Sequence, residues 1–302
     1  MHDEVLQNYS GMNEGCEATI LSVDDSKKQK DEKELIAVKR RKYGWKKDLP
    51  DKRDLKHKFK KPGVHFGSFY LPYRVTLPSK IDLRANCPDV YDQGNLGSCT
   101  ANALAAAYEF DEIKQASDNK PEIFSPSRLF IYFNERQLEN TVDTDSGASL
   151  RDGIKTINKI GVCHDSLWPY IVSKYTIKPT KRCYEDAKLH KTVEYKSLDQ
   201  DLDNFKSCLK AGFPFVFGFM VYESFESDDV AKTGKMIMPD LDKEKAVGGH
   251  AVLAVGYDDS INSFIIRNSW GTSWGDKGYF YMPYDYIVDE DLAGDFWTVT
   301  KI

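Results

Sequence analysis

No address label opens this sequence of 302 residues: Met1-His2-Asp3-Glu4 is followed by neither a basic stretch nor an apolar core, so a standard secretory signal is not supported. Synthesis in the cytoplasm is the favoured expectation, with an intracellular, a lysosome-like and a virion-associated location all left open. No uninterrupted apolar run is long enough to cross a bilayer, which argues against a membrane span. A strong charge imbalance is also missing. The formal net charge is -5, which disfavours general nucleic-acid binding and recruitment to an anionic membrane surface, and leaves a soluble protein with a neutral or polypeptide substrate. The six cysteines (Cys16, Cys87, Cys99, Cys163, Cys183, Cys208) lack the dense spacing of a disulfide scaffold, and no CxxC pair suggests structural zinc. Mostly free thiols in a reducing compartment are expected. No internal repeat is visible.

What is present is a globular composition, 41% hydrophobic and 13% aromatic, enough for one large domain or two smaller ones. Residues 1–75 stand apart: they are rich in Lys, Asp and Glu, contain Lys27-Lys28-Gln29-Lys30, and show little apolar periodicity. Tyr43-Gly44-Trp45 and Asp48-Leu49-Pro50-Asp51 are more specific, an aromatic anchor followed by a proline that extends the backbone before it. From Leu77-Pro78-Ser79-Lys80 onward the composition is that of a folded domain. Residues 99–115 read as a buried, alanine-rich helix, with further helical patterns near 126–137, 150–160 and 202–211. After Gly212 the pattern changes to period two and short apolar runs at 213–222, 250–257, 263–268 and 278–282, which read as strands. The expectation is an α+β fold: a helical lobe over about 76–211, a strand lobe over about 212–302, and a polar leader in front.

A thiol in the first turn of a helix is favoured as thiolate by the free N–H groups and the positive helix end, and Cys99 is predicted to stand there. On residue type alone such a cysteine is more often a small buried apolar group. Its surroundings favour the reactive reading. Gln93 lies six residues upstream, in Gln93-Gly94-Asn95-Leu96-Gly97-Ser98-Cys99, where the glycines permit a bend bringing its amide beside the thiol; that N–H₂ and the Cys99 N–H would form an oxyanion hole. Of six histidines, His250 is distinct because it follows Gly248-Gly249 and opens an apolar strand, exposing its ring to a cleft. Asn268 ends the next apolar run, so a hairpin would set its amide oxygen against the imidazole N–H, with Trp270 as a shield from water. The alternatives are a turn glutamine, a strand-end histidine, a hairpin asparagine and a core tryptophan.

Gln-Gly-Xaa-Xaa-Gly-Ser-Cys at 93–99, Gly-His-Ala at 249–251 and Asn-Ser-Trp-Gly-Thr-Ser-Trp-Gly at 268–275, in that order, resemble the papain and cathepsin family of cysteine peptidases. The resemblance runs from about Leu77 to about Trp297 and includes Trp168-Pro169-Tyr170. It implies a two-lobe papain-like fold with a helical left lobe, a β-barrel-like right lobe and the active site between them. It also implies a cysteine endopeptidase with Cys99 as nucleophile, His250 as base and acid, Asn268 as orienting residue and Gln93 in the oxyanion hole. The reaction would pass through a thioester, with no metal or organic cofactor. Leu96 stands where the family usually has a cysteine and Thr100 where it has an aromatic residue, which points to a divergent microbial or viral branch lacking the usual bridge. Gly147 and Ala148 match the glycine pair that binds substrate backbone, joined by Gly249 and Trp270 as substrate-binding residues, and residues 293–295 approach the specificity pocket.

The family is commonly made as a precursor, so residues 1–75 are expected to be an inhibitory pro-segment. Its anchors would be Trp45, Leu49 and Pro50, a stretch towards Gly67-Ser68-Phe69-Tyr70 would fill the cleft, and acid would release it by protonating carboxylates among Asp48, Asp51 and Asp54. Polypeptide substrates, a monomeric state and a catalytic domain over 76–302 complete the expectation. A transamidase or peptide ligase on the same site, and a catalytically inactive peptide-binding homologue, are the alternatives.

Overall fold

Alanines at 101, 103, 105, 106 and 107 make a helix thin enough to be buried on nearly every side, and Cys99–Gln115 (α1) is buried from Cys99 through Asp111. The computed structural model describes residues 42–49, 51, 54, 56–57, 63–66, 69–72, 77–115, 124–192 and 194–301. Those described residues belong to one compact unit, 41–302. Helices Arg128–Leu138 (α2) and Leu150–Lys159 (α3) pack near α1, and each starts at a serine whose hydroxyl accepts an orphan N–H: Ser127 from Phe130, Ser149 from Asp152. Lys181–Ala187 (α4) completes this side, whose core includes Leu104, Phe130, Leu150, Ile154 and Cys183.

The other side is an eight-stranded sheet. Its path runs β1 (Lys56–His57), β5 (Glu194–Leu198), β10 (Ala293–Lys301), β6 (Phe215–Tyr222), β7 (Ala246–Asp258), β8 (Ser263–Arg267), β9 (Tyr279–Pro283), with β4 (Lys80–Asp82) also pairing β7. All these pairings are antiparallel except β1 with β5. Strands Gly63–Phe66 (β2) and Phe69–Pro72 (β3) form a separate antiparallel pair.

Strand β6 reads as a nearly continuous apolar run because both faces are covered. Phe215, Phe217 and Phe219 belong to a core with Phe205 of helix Leu202–Lys210 (α5), Phe264 and Phe296, whereas Val216 joins the core around α1. Helices Asp228–Thr233 (α6) and Tyr284–Val288 (α7) complete the elements. The sequence-predicted helices and strands fall within a few residues of these spans. α4, α6, α7, β1 to β5 and β10 have no counterpart among those expectations. The consequence for function is that α1 presents its first residue to the middle of β7.

Candidate active site

Cys99 is fully buried at the start of α1, and the N–H groups of Ala251 on β7 and Gly44 face its sulfur. Burial still pushes the thiol up to about 11, because a thiolate cut off from water outweighs those donors. His250 lies immediately before Ala251, opposite Phe219 on β6. Its Nε2 is 2.8 Å from Asn268 Oδ1, which also accepts the Ser269 N–H at 2.8 Å. An oxygen that already accepts a backbone N–H fixes the amide orientation. Nε2 must therefore carry the proton, leaving Nδ1 as the basic nitrogen.

Trp270 stacks on the His250 ring at 4.8 Å between centroids and 27° between planes. Gln93 is buried; its Oε1 accepts from Ser269 Oγ at 2.6 Å while Nε2 donates to Leu96 O at 2.9 Å and Lys42 O at 3.3 Å. Ser269 thus joins Gln93 to Asn268, a link the sequence hid between two more conspicuous residues. The four expected residues Cys99, His250, Asn268 and Gln93 are brought together. So are Gly147, Ala148, Gly249 and Trp270.

Seven of these eight, all but Asn268, meet one segment of the chain, residues 42–48. Trp45 N donates to Gly249 O (2.9 Å), Lys46 N to Ala148 O (3.1 Å), and Ala148 N to Gly44 O (2.8 Å), so the segment runs parallel to the Ala148 edge. Gly44 must be glycine: a Cβ there would lie 1.8 Å from Gly97 O. Gly147, at φ +68, is constrained by the same crossing, since a Cβ would fall 2.0 Å from Gly44 O. Tyr43 sets its ring edgewise against His250 (5.9 Å) and Trp270 (6.2 Å), and its hydroxyl donates to Glu226. Trp45 is 6% exposed, and its Nε1 donates to Asp295 Oδ2 at 2.9 Å.

Beyond Trp45 the segment ends in a cluster of charges. Asp48 accepts the Arg151 N–H at 3.2 Å, and the Arg151 guanidinium forks onto Asp54 (3.1 and 2.7 Å) and donates to Leu49 O. Burial, then the neighbouring Asp295 carboxylate, raise Asp48 from 3.8 to about 7, against the opposing pull of Ser149 and Arg151. Burial likewise raises Asp295.

These contacts bear on three expectations. The Leu49 side chain is 83% exposed and anchors nothing, while Pro50 lies outside the described residues. The described stretch in the cleft is 42–48 rather than the one towards Gly67-Ser68-Phe69-Tyr70; of that stretch, Gly67 and Ser68 lie outside the described residues and Phe69-Tyr70 opens β3. A raised Asp48 opposes the expected acid release at that one carboxylate, because the docked state holds its proton more tightly, whereas Asp54 is paired with Arg151.

Sequence reasoning missed Asp145, which accepts the Gly97 N–H with both oxygens (3.0 and 3.2 Å) and the Tyr132 hydroxyl. Leu96 is buried beside it where a bridging cysteine was missing. Cys87, Cys99, Cys163, Cys183 and Cys208 are free thiols, and Cys16 lies outside the described residues. Among the described residues no cluster of three or more His, Cys, Asp or Glu is placed to hold a metal ion, and no helix is long and apolar enough to cross a membrane.

A helical lobe presenting a thiol to a histidine on a neighbouring sheet defines the papain-like class of cysteine-type peptidases. Comparison with known proteins agrees. The family described as papain family cysteine protease matches residues 77–290, and the chain belongs to that family. It is 47% identical over 283 residues to an uncharacterized peptidase C1-like protein of Acanthamoeba polyphaga mimivirus, covering 87% of this chain and 88% of that one. It is 31% identical to a cathepsin B-like protein of Giardia intestinalis, over 68% of this chain and 69% of the relative. Among solved structures it resembles xylellain, a cysteine protease from Xylella fastidiosa, with a TM-score of 0.76 and 43% identity, covering 87% and 97% of the two chains. The fold also resembles a procathepsin L of Tenebrio molitor larval midgut, with a TM-score of 0.61 at 18% identity and coverage of 89% and 79%.

Proposed function

We propose that the protein is a cysteine endopeptidase made as a zymogen, with residues 42–48 as the part of its pro-segment that closes the cleft over a catalytic domain beginning near residue 76. The observation that carries this reading is the segment's backbone, paired with Ala148 and Gly249 directly over Cys99. In the open enzyme His250 Nδ1 takes the Cys99 proton, since Nε2 is held by Asn268. The thiolate attacks a peptide carbonyl; the oxyanion is received by Gln93 Nε2 and the Cys99 N–H, in the region where Lys42 O now meets Gln93. The imidazolium protonates the leaving amine, a thioester forms, and water hydrolyses it with His250 again as base.

Latency has two layers. The segment excludes substrate, and by removing water from Cys99 it also keeps the thiol protonated. The test is Trp45→Ala in the full chain. Losing a buried indole costs about 3 kcal/mol, so the open fraction, read as inactivation by an epoxysuccinyl inhibitor and as peptide hydrolysis, rises on the order of a hundredfold. Equal rates for wild type and Trp45→Ala would refute the closure.

A further inference from the structure

The peptide group between Ser98 and Cys99 serves catalysis at one end, because its N–H is one of the two donors that would receive the oxyanion. Its other end is bonded twice. The Ser98 carbonyl oxygen accepts the Asn102 backbone N–H at 3.0 Å, at the start of α1, and the Asn102 side-chain N–H₂ at 2.9 Å. Donors on the oxygen of a peptide group polarise it and leave its own N–H a stronger donor. The direction of the Asn102 amide is fixed from behind: its Oδ1 accepts from Arg128 Nη1 at 3.0 Å, and a guanidinium can only donate. The amide nitrogen therefore faces Ser98, where it also reaches the hydroxyl at 3.0 Å.

From there the bonds run in one direction. Ser98 Oγ accepts from Asn102 and lies 2.5 Å from the Tyr170 hydroxyl; it must donate there, because Tyr170 gives its own proton to Gln93 O at 3.0 Å. Gln93 carries the second oxyanion donor. Arg128 closes the circuit: its Nη1 also donates to Asp92 O at 3.1 Å, and its guanidinium lies over the rings of Tyr91 (4.5 Å) and Tyr170 (4.0 Å). Asn102, Ser98 and Gln93 are buried, so a bond lost here is not simply replaced by one to bulk water. The main chain at Tyr91 and Gln93 is bonded in turn to Gly271 and Ser269, on either side of Trp270. We propose that Asn102, oriented by Arg128, is a positioning residue for the oxyanion hole: it holds and polarises the Ser98–Cys99 peptide and, through Ser98 and Tyr170, fixes the backbone of Gln93. The proposal rests on the peptidase reading given above.

An Asn102 that only stabilised the fold would shift the melting curve and leave the chemistry alone, so the test separates the two. All chains are full length and carry Trp45→Ala to open the cleft. Asn102→Leu should then lower kcat about tenfold with KM nearly unchanged, a smaller loss than removing a direct oxyanion donor causes. Alkylation of Cys99 by iodoacetamide forms no oxyanion, and its rate should stay within about twofold. Tyr170→Phe deletes one hydroxyl and leaves no hole; it should lower kcat about fivefold, and the double variant should lose little more than Asn102→Leu, because members of one network are not additive. Unchanged kcat in Tyr170→Phe, alkylation falling as far as kcat, or losses that multiply in the double variant would overturn the proposal. Should Asn102→Leu fail to fold, Tyr170→Phe decides by the same pair of rates. Failure of the peptidase reading looks different, and the proposal falls with it: the Trp45→Ala chain itself cleaves no peptide and its Cys99 stays inert to an epoxysuccinyl inhibitor.

Discussion

Raising the pH should open this protein. Asp48 is the group concerned: its side chain is only 5% exposed when docked, facing the Asp295 carboxylate, the Arg151 guanidinium with its partner Asp54, and the hydroxyl of Ser149. Burial and Asp295 win over the favourable contacts, and the docked group sits at about 7 instead of its ordinary 3.8. A docked value above the released one means that the docked state binds protons more tightly. Docking is thus fully supported below about pH 4, weakens as pH climbs towards 7, and is constant above that. A rise from 3.8 to about 7 corresponds to about 4 kcal/mol at 1.36 kcal/mol per pH unit. Relaxation of the cluster and water penetration discount such a burial penalty, so on the order of 2 kcal/mol, or thirtyfold, should appear in the opening equilibrium.

The assay compares the full chain with Asp48→Asn, which is neutral at every pH. Both are reacted with 2,2'-dipyridyl disulfide, which attacks thiols even in acid, and modification of Cys99 is followed by mass spectrometry. Taking the ratio of the two rates cancels the titration of the thiol. It also cancels any acid loosening of the Arg151–Asp54 pair, which both chains carry. The ratio of wild type to variant should be close to one near pH 4, climb through pH 5 and 6, and level off at about thirtyfold above pH 7. A ratio that is flat, or that grows towards acid, would refute the reasoning.

Cys99→Ala and His250→Ala should each abolish peptide hydrolysis while circular dichroism shows an unchanged fold; Gln93→Ala should lose on the order of a hundredfold in kcat, and Asn268→Ala less. Near-full activity in Cys99→Ala would end the assignment. Asp145→Ala removes the acceptor of the Gly97 N–H and the partner of Tyr132, so it should lower stability by about 1–2 kcal/mol in urea melts and lower kcat more than it raises KM, because the loop from Gln93 to Cys99 loses its tether. An unchanged kcat would leave Asp145 a purely structural residue.

The sequence made some of these features legible and hid others for physical reasons. α1 could be read because alanine spacing and the preceding glycines are local signals, and the His250 and Asn268 strands because apolar runs stop at those residues. Ser269, Asp145 and Arg151 could not be read, because their importance lies in bonds spanning 176, 48 and 97 positions respectively. Residues 293–295 could be placed near the specificity pocket only by resemblance, and the bond of Asp295 to Trp45 could not be read because nothing in Ala293-Gly294-Asp295 announces a bulge. The cleft occupant was misplaced for a related reason: an extended segment bonded through its backbone leaves little trace in side-chain pattern, and only Gly44 and Trp45 carry a constraint strong enough to see.

That division between backbone and side chain bears on what keeps the cleft closed. The three backbone bonds from residues 44–46 to Ala148 and Gly249 can be made by any peptide, and water replaces them on release, so each contributes only about 1 kcal/mol to closure. What makes this segment hold better than a passing substrate must then be the indole in its pocket and the Asp48, Arg151 and Asp54 cluster behind it. A side chain added at Gly218 would take the indole's place and loss of the Asp295 carboxylate would remove its N–H acceptor, so either change should let the segment open more readily.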